Sequence, residues 1–396
     1  MNRTIEEDPL DHTTYLSGGY CKIINGDVLN KRYTILNYID SGTFSTVWLA
    51  KDTEMNNYVA IKVNNSNRDD TFSAHYEINF LQIINNHKNY LELYDYFIYR
   101  NPVRPNESHV CIVMEIALCT LHDSYRYFNR RNNIMRLGIF NTIKNQMLVG
   151  LSYLHNECEI IHNDIKPENI LVGMNQSQKT QFNKMLDDIL DNSTLYNRIK
   201  KAIDQFRIIT LKSIVKDPTN LLIKISDLGS ACFLNKEKEC RPSIIHTLPY
   251  RCPEVILGID KQKYDDKADV WSLGCTLFEL LTTNILFDKS KTDLLSDEEE
   301  MIAQMFELLN IDSITFPDDL IDVYKDIIHD KKLRNVIDFQ PKSLLECMTS
   351  YYNIPLPLAT SISDQLLKML QFNPMDRMSM SDLLTYIPKK DLYHSI

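Results

Sequence analysis

The chain has 396 residues, 44% of them hydrophobic, enough for one large or two medium domains with a real core. A formal charge of -10 argues against direct nucleic-acid binding and favours basic protein partners. The nine cysteines form no Cys-x-x-Cys, which removes zinc-ribbon and disulfide-framework readings and leaves reduced, mostly buried thiols.

Met1–His12 is acidic and polar, unlike a signal peptide. Residues 1–30 as a whole are polar around Gly18-Gly19-Tyr20, and by composition alone pass for a mobile tail. Tyr33–Ile39 alternates as a strand does. Asp40-Ser41-Gly42-Thr43-Phe44-Ser45 makes a turn, Thr46–Ala50 a second strand, Asn56-Asn57 another turn and Tyr58–Val63 a third strand, all in hairpin order. Phe72, Tyr76, Phe80 and Ile84 recur at helical spacing, which predicts a helix over 72–84 with Glu77 beside the stripe. Two more strands follow, around Leu91–Tyr99 and Val110–Ile116.

Near Ala117–Thr120 the character changes from β-rich to mainly helical. Ile143, Met147, Leu151 and Leu154 mark a long amphipathic helix ending near Asn156. The stretch from Gly173 to about Leu221 separates the strand Asn169–Val172 from Ile223–Ile225, far more chain than a strand pair needs. Phe182, Met185, Leu186, Ile189 and Leu190 fit one helix face, and Leu195, Ile199, Ile203 and Phe206 another. The insertion therefore reads as helical, with a disordered spacer as the alternative. The apolar run Trp271–Leu281 is too short to span a bilayer and contains polar residues, so no membrane association is expected.

Three stretches carry chemistry. In Ile161–Val172 an aspartate, a lysine two residues on and an asparagine five residues on share one loop before an apolar strand. Asp164 can take or orient a hydroxyl, Lys166 can neutralise developing phosphate charge, and Asn169 can reach a metal ion. Lys62 ends the strand Val59-Ala60-Ile61-Lys62, and Glu77 follows where a helix packed across the sheet would bring the two together. Such a pair holds an ammonium against the phosphates of ATP. Asp227-Leu228-Gly229 follows the strand Leu222–Ile225, and a carboxylate there can bind Mg²⁺, a hard cation that prefers oxygen.

In this order the stretches resemble the protein-kinase signature set, from Tyr33 to about Tyr386. Later landmarks agree: Thr247–Glu254 resembles the end of an activation segment, Asp269–Gly274 the start of a central buried helix, and Asn373–Arg377 a late arginine motif. The resemblance implies an α+β, bilobal protein-kinase fold, with a small antiparallel β lobe plus one helix and a larger, mainly helical lobe with an insertion. The implied parts are an N-terminal extension packing on the kinase (1–32), an N-lobe (33–117) and a C-lobe (118–396) holding a spacer-like insertion (173–221) and a second insert region (288–345). ATP and Mg²⁺ are the implied cofactors. Asp164, Lys166 and Thr247 are then catalytic, and Asn169 and Asp227 hold the metal. Gly42, Phe44, Val47, Ala60, Lys62, Glu77, Met114, Glu115, Ala117 and Leu171 bind the nucleotide. Glu254 is implied to pair with Arg377, Asp269 to cap the catalytic-loop backbone, and His162 to be structural.

Two departures stand out. The three phosphate-loop glycine positions are Asp40, Gly42 and Ser45, so only Gly42 survives. Asn163 stands where most kinases have an arginine that receives an activation-loop phosphate, which implies a constitutively competent enzyme.

Tyr250–Gly258 has the form of the CMGC kinase group. Within it, three stretches resemble SR-protein kinases (the SRPK family): Ser45–Leu49, the insertion after Val172, and the tail Glu7-Asp8-Pro9-x-Asp11, Gly18-Gly19-Tyr20 and Gly26–Tyr33. Basic Arg/Ser-rich protein substrates are implied, phosphorylated by a monomer in the cytoplasm or nucleus. Asp297, Glu298, Glu299 and Glu300 are candidate docking carboxylates, although the same run suits an ordinary helix N-terminus. Leu248 replaces the family's arginine, which bears on residue preference beside the phosphoserine. The alternatives are a CMGC kinase of other specificity, LAMMER-like, and a pseudokinase scaffold.

Overall fold

The structure, a computed structural model, describes residues 19–85, 87–100, 104, 106–129, 134–192, 196–235, 245–258, 264–288, 296–310, 328–329, 332–333 and 342–388. The tail motif upstream of Gly19, Leu195 and much of the 288–345 insert region lie outside the described residues.

In chain order the main elements begin with β1 (Val28–Leu29), β2 (Tyr33–Ser41), β3 (Ser45–Asp52), β4 (Asn57–Asn64), α1 (Arg68–Ile84), β5 (Leu93–Arg100), β6 (Ser108–Met114) and β7 (Cys119–Thr120). They continue with α2 (Leu121–Phe128), α3 (Leu137–Asn156), β8 (Ile160–Ile161), β9 (Ile170–Val172), α4 (Gln176–Asn192), α5 (Tyr196–Lys216), β10 (Ile223–Ile225) and β11 (Cys232–Phe233). The last are α6 (Pro253–Ile256), α7 (Lys267–Thr282), α8 (Asp297–Leu309), α9 (Leu356–Met369) and α10 (Met380–Thr385). The chain forms two compact units: the residues up to Thr120 with Leu171–Gly229, and Leu121–Ile170 with the residues from Ser230 on.

The first unit is built on an antiparallel sheet in the order β1-β2-β3-β4-β6-β5. Its strands alternate, and one set of side chains, including Tyr33, Ile35, Trp48, Ile61 and Val113, forms a closed apolar cluster. Cys21 and Ile23 of the N-terminal segment are buried in the same cluster, so this segment is ordered by apolar burial of about 1.5–3 kcal/mol for a large side chain. α1 starts where Asn67 accepts the Asp70 N–H and stops at Asn85, whose backbone is left-handed. Its buried face is Ala74, Glu77, Ile78, Phe80, Leu81 and Ile84. Phe72 and Tyr76, part of the predicted stripe, are half exposed. A row of every fourth residue drifts about 40° per step around a helix, so this row crosses from solvent onto the sheet.

The insertion is helical, as α4 and α5. It groups with the sheet unit rather than with the helical unit expected to hold it. The reason is a set of specific ties. Asp187 takes the Lys51 ammonium at 3.1 Å and the Tyr58 hydroxyl at 2.6 Å, and Arg207 Nε donates to the Leu118 carbonyl at 2.7 Å.

The second unit is mainly helical around α7, buried from Ala268 to Thr282. α3 buries Ile143, Met147, Leu151 and Leu154 at the spacing read from the sequence. Among the described residues the eight free cysteines are mostly buried, and no helix is long and apolar enough to cross a membrane.

Candidate active site

In the sheet unit, Lys62 lies near the end of β4, and its ammonium lies 2.7 Å from Glu77 Oε2 on α1 and 2.9 Å from Asp227 Oδ1. Burial alone would lower this ammonium, but the Asp227 and Glu77 carboxylates outweigh it and hold its pKa above the ordinary value. Lys62 is therefore a fixed cation. Asp227 sits in left-handed backbone at φ 63°, a conformation that costs a non-glycine residue about 1–3 kcal/mol and is typical of functional sites. Gly229 follows because the chain runs tight against α1. Ser73 Oγ donates to the Gly229 carbonyl at 2.7 Å, and a Cβ at Gly229 would lie 2.7 Å from Ser73 Oγ.

The same unit carries the other predicted nucleotide residues. Val47 on β3 is in register with Lys62, and Ala60 on β4 with Met114 at the end of β6. Gly42 and Phe44 occupy the β2–β3 turn, where Gly42 N–H donates to the Ser45 carbonyl at 3.0 Å. A Cβ at Gly42 would meet no atom within 4 Å, and its φ is not left-handed. Neither fold nor strain requires this glycine, so the space above it is available to a ligand. Asp40, at the first of the three expected glycine positions, has Oδ1 occupied by the Ser41 N–H at 2.8 Å. Glu115 is buried, with Lys179 at 2.8 Å and Lys224 also in contact. Sequence reasoning did not foresee these lysines, one of them from the insertion. Ala117 precedes β7, and Leu171 on β9 pairs with Thr120.

In the helical unit, Asp164 gathers the other predicted catalytic groups. Lys166 Nζ is 2.8 Å from its Oδ2, and Asn169 Nδ2 donates to the same oxygen at 2.8 Å. Thr247 Oγ1 donates to Asp164 Oδ1 at 3.0 Å and receives Lys166 Nζ at 2.7 Å. Burial alone would raise the Asp164 carboxyl, but Lys166 and the hydrogen bonds outweigh it, so its pKa lies below the ordinary value.

The loop is held from beneath. Asp269 on α7 accepts the His162 N–H at 2.7 Å and the Asn163 N–H at 2.9 Å, and binds His155 Nε2 at 2.8 Å. His162 is fully buried, and its Nδ1 accepts the Asp164 N–H at 3.3 Å, a structural position. Asn163, with φ 68°, donates from Nδ2 to the Ser230 carbonyl at 2.9 Å and to Cys232 Sγ at 3.3 Å. A short amide here ties the catalytic loop directly to β11. Glu254 and Arg377 form the expected pair, bidentate at 2.6 Å on both arms.

His246 closes the loop from the other side, its N–H donating to the Asn163 carbonyl at 2.9 Å. Burial pushes its imidazole down from 6.5 to about 4, against the pull of Asp269, Asp164 and Glu254. Between those two values the unfolded chain binds the extra proton. Stability is therefore complete above the unfolded value and falls as pH drops through the window, by about 3 kcal/mol for full titration. We expect His246→Gln to flatten this acid limb in denaturation measured from pH 7 to 4; an unchanged slope would assign the limb to other groups.

The acidic run is already engaged. Ser296 and Glu299 form a capping box, Glu300 is buried, and Glu298 lies 3.8 Å from Arg251. Asp297 and Glu298 are the exposed members.

The protein kinase domain family matches residues 33–188 and 206–386. The chain is 32% identical over 394 residues to the serine/threonine-protein kinase SRPK of Physarum polycephalum, covering 94% of this chain and 89% of that protein. It is 28% identical over 470 residues to protein kinase dsk1 of Schizosaccharomyces pombe, covering 95% and 83%. It is also 24% identical over 524 residues to SRSF protein kinase 3 of Mus musculus, covering 96% and 90%.

Proposed function

The chain belongs to the protein-kinase family and is a serine/threonine protein kinase similar to the SRPK enzymes, and from that premise we propose that it phosphorylates serines in Arg/Ser-rich, SR-type proteins without needing activation-segment phosphorylation. The observation that carries the chemistry is the network in which Lys166, Asn169 and Thr247 all converge on Asp164.

The substrate hydroxyl binds at Asp164, its oxygen attacks the γ-phosphorus of ATP, and the bond to the ADP oxygen breaks as the new P–O bond forms. A carboxylate with a lowered pKa is a weak base. Asp164 therefore chiefly orients the hydroxyl and accepts its proton late, as fits a loose transition state. Lys166 neutralises the transferring group, and Lys62, steadied by Glu77, positions the phosphates. Val47, Ala60, Met114, Glu115, Ala117 and Leu171 receive the adenine, while Gly42 and Phe44 cover the phosphates. Mg²⁺, when bound, neutralises charge on the phosphates. It is usually held by one or two protein oxygens plus substrate phosphates. The Asp227 carboxylate and Asn169 amide suit that sparse set.

Constitutive activity is supported by Asn163, which spends its amide on Ser230 and Cys232 instead of waiting for a phosphate. Substrate choice is supported by the SRPK-type relatives and by the net charge of -10, with Asp297 and Glu298 as the docking carboxylates. A peptide panel tests both points. Phosphatase-treated enzyme should phosphorylate Arg-Ser repeats at least about tenfold better, by kcat/KM, than Pro-directed or acidic peptides. Loss of activity after phosphatase overturns the constitutive reading, and equal rates across the panel overturn the substrate class.

A further inference from the structure

The Gly42–Phe44 turn has lost two of its three expected glycines, yet every carbonyl at its tip is held. The Tyr20 hydroxyl lies 2.8 Å from the Gly42 carbonyl and 2.7 Å from the Thr43 carbonyl, sharing its one hydrogen between them. Asn65 Nδ2 donates to the Thr43 carbonyl at 3.3 Å, and Asn65 N–H to the Phe44 carbonyl at 2.9 Å. Asn65 follows β4, the Lys62 strand, and leads into α1, the Glu77 helix.

Tyr20 is fixed on both sides. Upstream, the Gly19 carbonyl accepts the Ser66 N–H at 3.0 Å and the Ser66 hydroxyl at 3.3 Å. Gly19 needs to be glycine, because its φ is +71° and an added Cβ would lie 3.3 Å from Ser66 Oγ. Downstream, Cys21 and Ile23 are buried in the sheet core. The N-terminal segment is thus a strap, pinned at Ser66 and in the core, with Tyr20 reaching the turn.

We propose that Tyr20 is a positioning residue for nucleotide phosphates: it holds the Gly42 and Thr43 carbonyls so that the turn presents amide N–H groups, not carbonyl oxygens, to the phosphate chain. A carbonyl turned toward a phosphate is repulsive, and a glycine-poor turn has fewer backbone states in which to avoid it. The strap supplies from outside what the missing glycines no longer supply by conformation. Joining the turn to the Lys62–Glu77 connection also makes the two phosphate-binding parts move together.

The inference rests on the nucleotide-binding reading of Gly42 and Phe44, and the test separates the two. Tyr20→Phe keeps the ring and removes one hydroxyl, so the full-length variant should melt at the wild-type temperature. Calorimetry with ATP, ADP and adenosine then reads the effect. Tyr20→Phe should weaken ATP and ADP about five- to tenfold and leave adenosine within about twofold. In turnover, KM for ATP should rise while kcat stays within about twofold. Unchanged ATP affinity, or equal weakening of ATP and adenosine, overturns the role of Tyr20. If the wild-type chain itself binds ATP no more tightly than adenosine, the phosphate-binding reading of the turn fails, and the inference with it.

Discussion

Asp164→Ala should lower phosphotransfer at least about a hundredfold, and Asp164→Asn should do nearly the same. Asn keeps an acceptor for the Thr247 hydroxyl but cannot accept the substrate proton or carry the charge that faces Lys166. The fold should survive, because the loop does not depend on that carboxylate. Asn169 Nδ2 also donates to the Asp164 backbone carbonyl at 2.9 Å, and Asp269 still holds the His162 and Asn163 N–H groups. The measurement is single-turnover transfer from radiolabelled ATP beside a thermal melt. A folded variant retaining more than a tenth of the wild-type rate would remove Asp164 from the chemistry.

The largest expected stability effect is at Arg377. Its side chain is fully buried, Glu254 is 8% exposed, and the guanidinium also donates to the carbonyls of Gln371 at 2.6 Å and Lys267 at 3.1 Å. It lies 5.1 Å from the centre of the Trp271 ring. Replacing Arg377 by Leu strands the Glu254 carboxylate without its counter-ion. The expected cost is about 3–5 kcal/mol, or roughly 5 °C in Tm for a chain of this size. Much of that cost is the unpaired charge rather than the worth of the pair. The double variant Glu254→Leu with Arg377→Leu should therefore recover a substantial part of the loss, though not all, since the carbonyls still lose their donor. A single variant costing under about 1 kcal/mol, or a double variant worse than both singles, would refute this account.

The clustering of the candidate catalytic groups was legible because the chemistry proposed for them fixes their spacing. Asp164, Lys166 and Asn169 sit on one loop, and the distance from Lys62 to Glu77 is set by a strand followed by a helix. The capping of α8 was also open to reading, since Ser296-x-x-Glu299 is a capping box, and it accounts for one of the four candidate docking carboxylates. The stripe Phe72–Ile84 gave the right element and half the wrong face, because spacing alone does not say where a helix leaves its sheet. Other contacts had no signal at all. Tyr20 reaches Gly42, Lys179 reaches Glu115 and Asp187 reaches Tyr58 across long separations in the chain, and none of these residues belongs to a periodic pattern. Only folding brings them together.

The insertion has one more property. The Gly173 N–H donates to the Leu222 carbonyl at 2.8 Å, so the chain enters and leaves the excursion at neighbouring points. The entropy of closing a loop grows only logarithmically with its length, about 0.6 kcal/mol per doubling. Extra chain spliced between α4 and α5 would thus cost the sheet unit little, provided Lys179, Asp187 and Arg207 keep their partners. Length is nearly neutral in this part of the molecule, and the anchor points are not. A chain of this kind can gain or lose a long tether by evolution or by design without renegotiating the packing of its sheet unit.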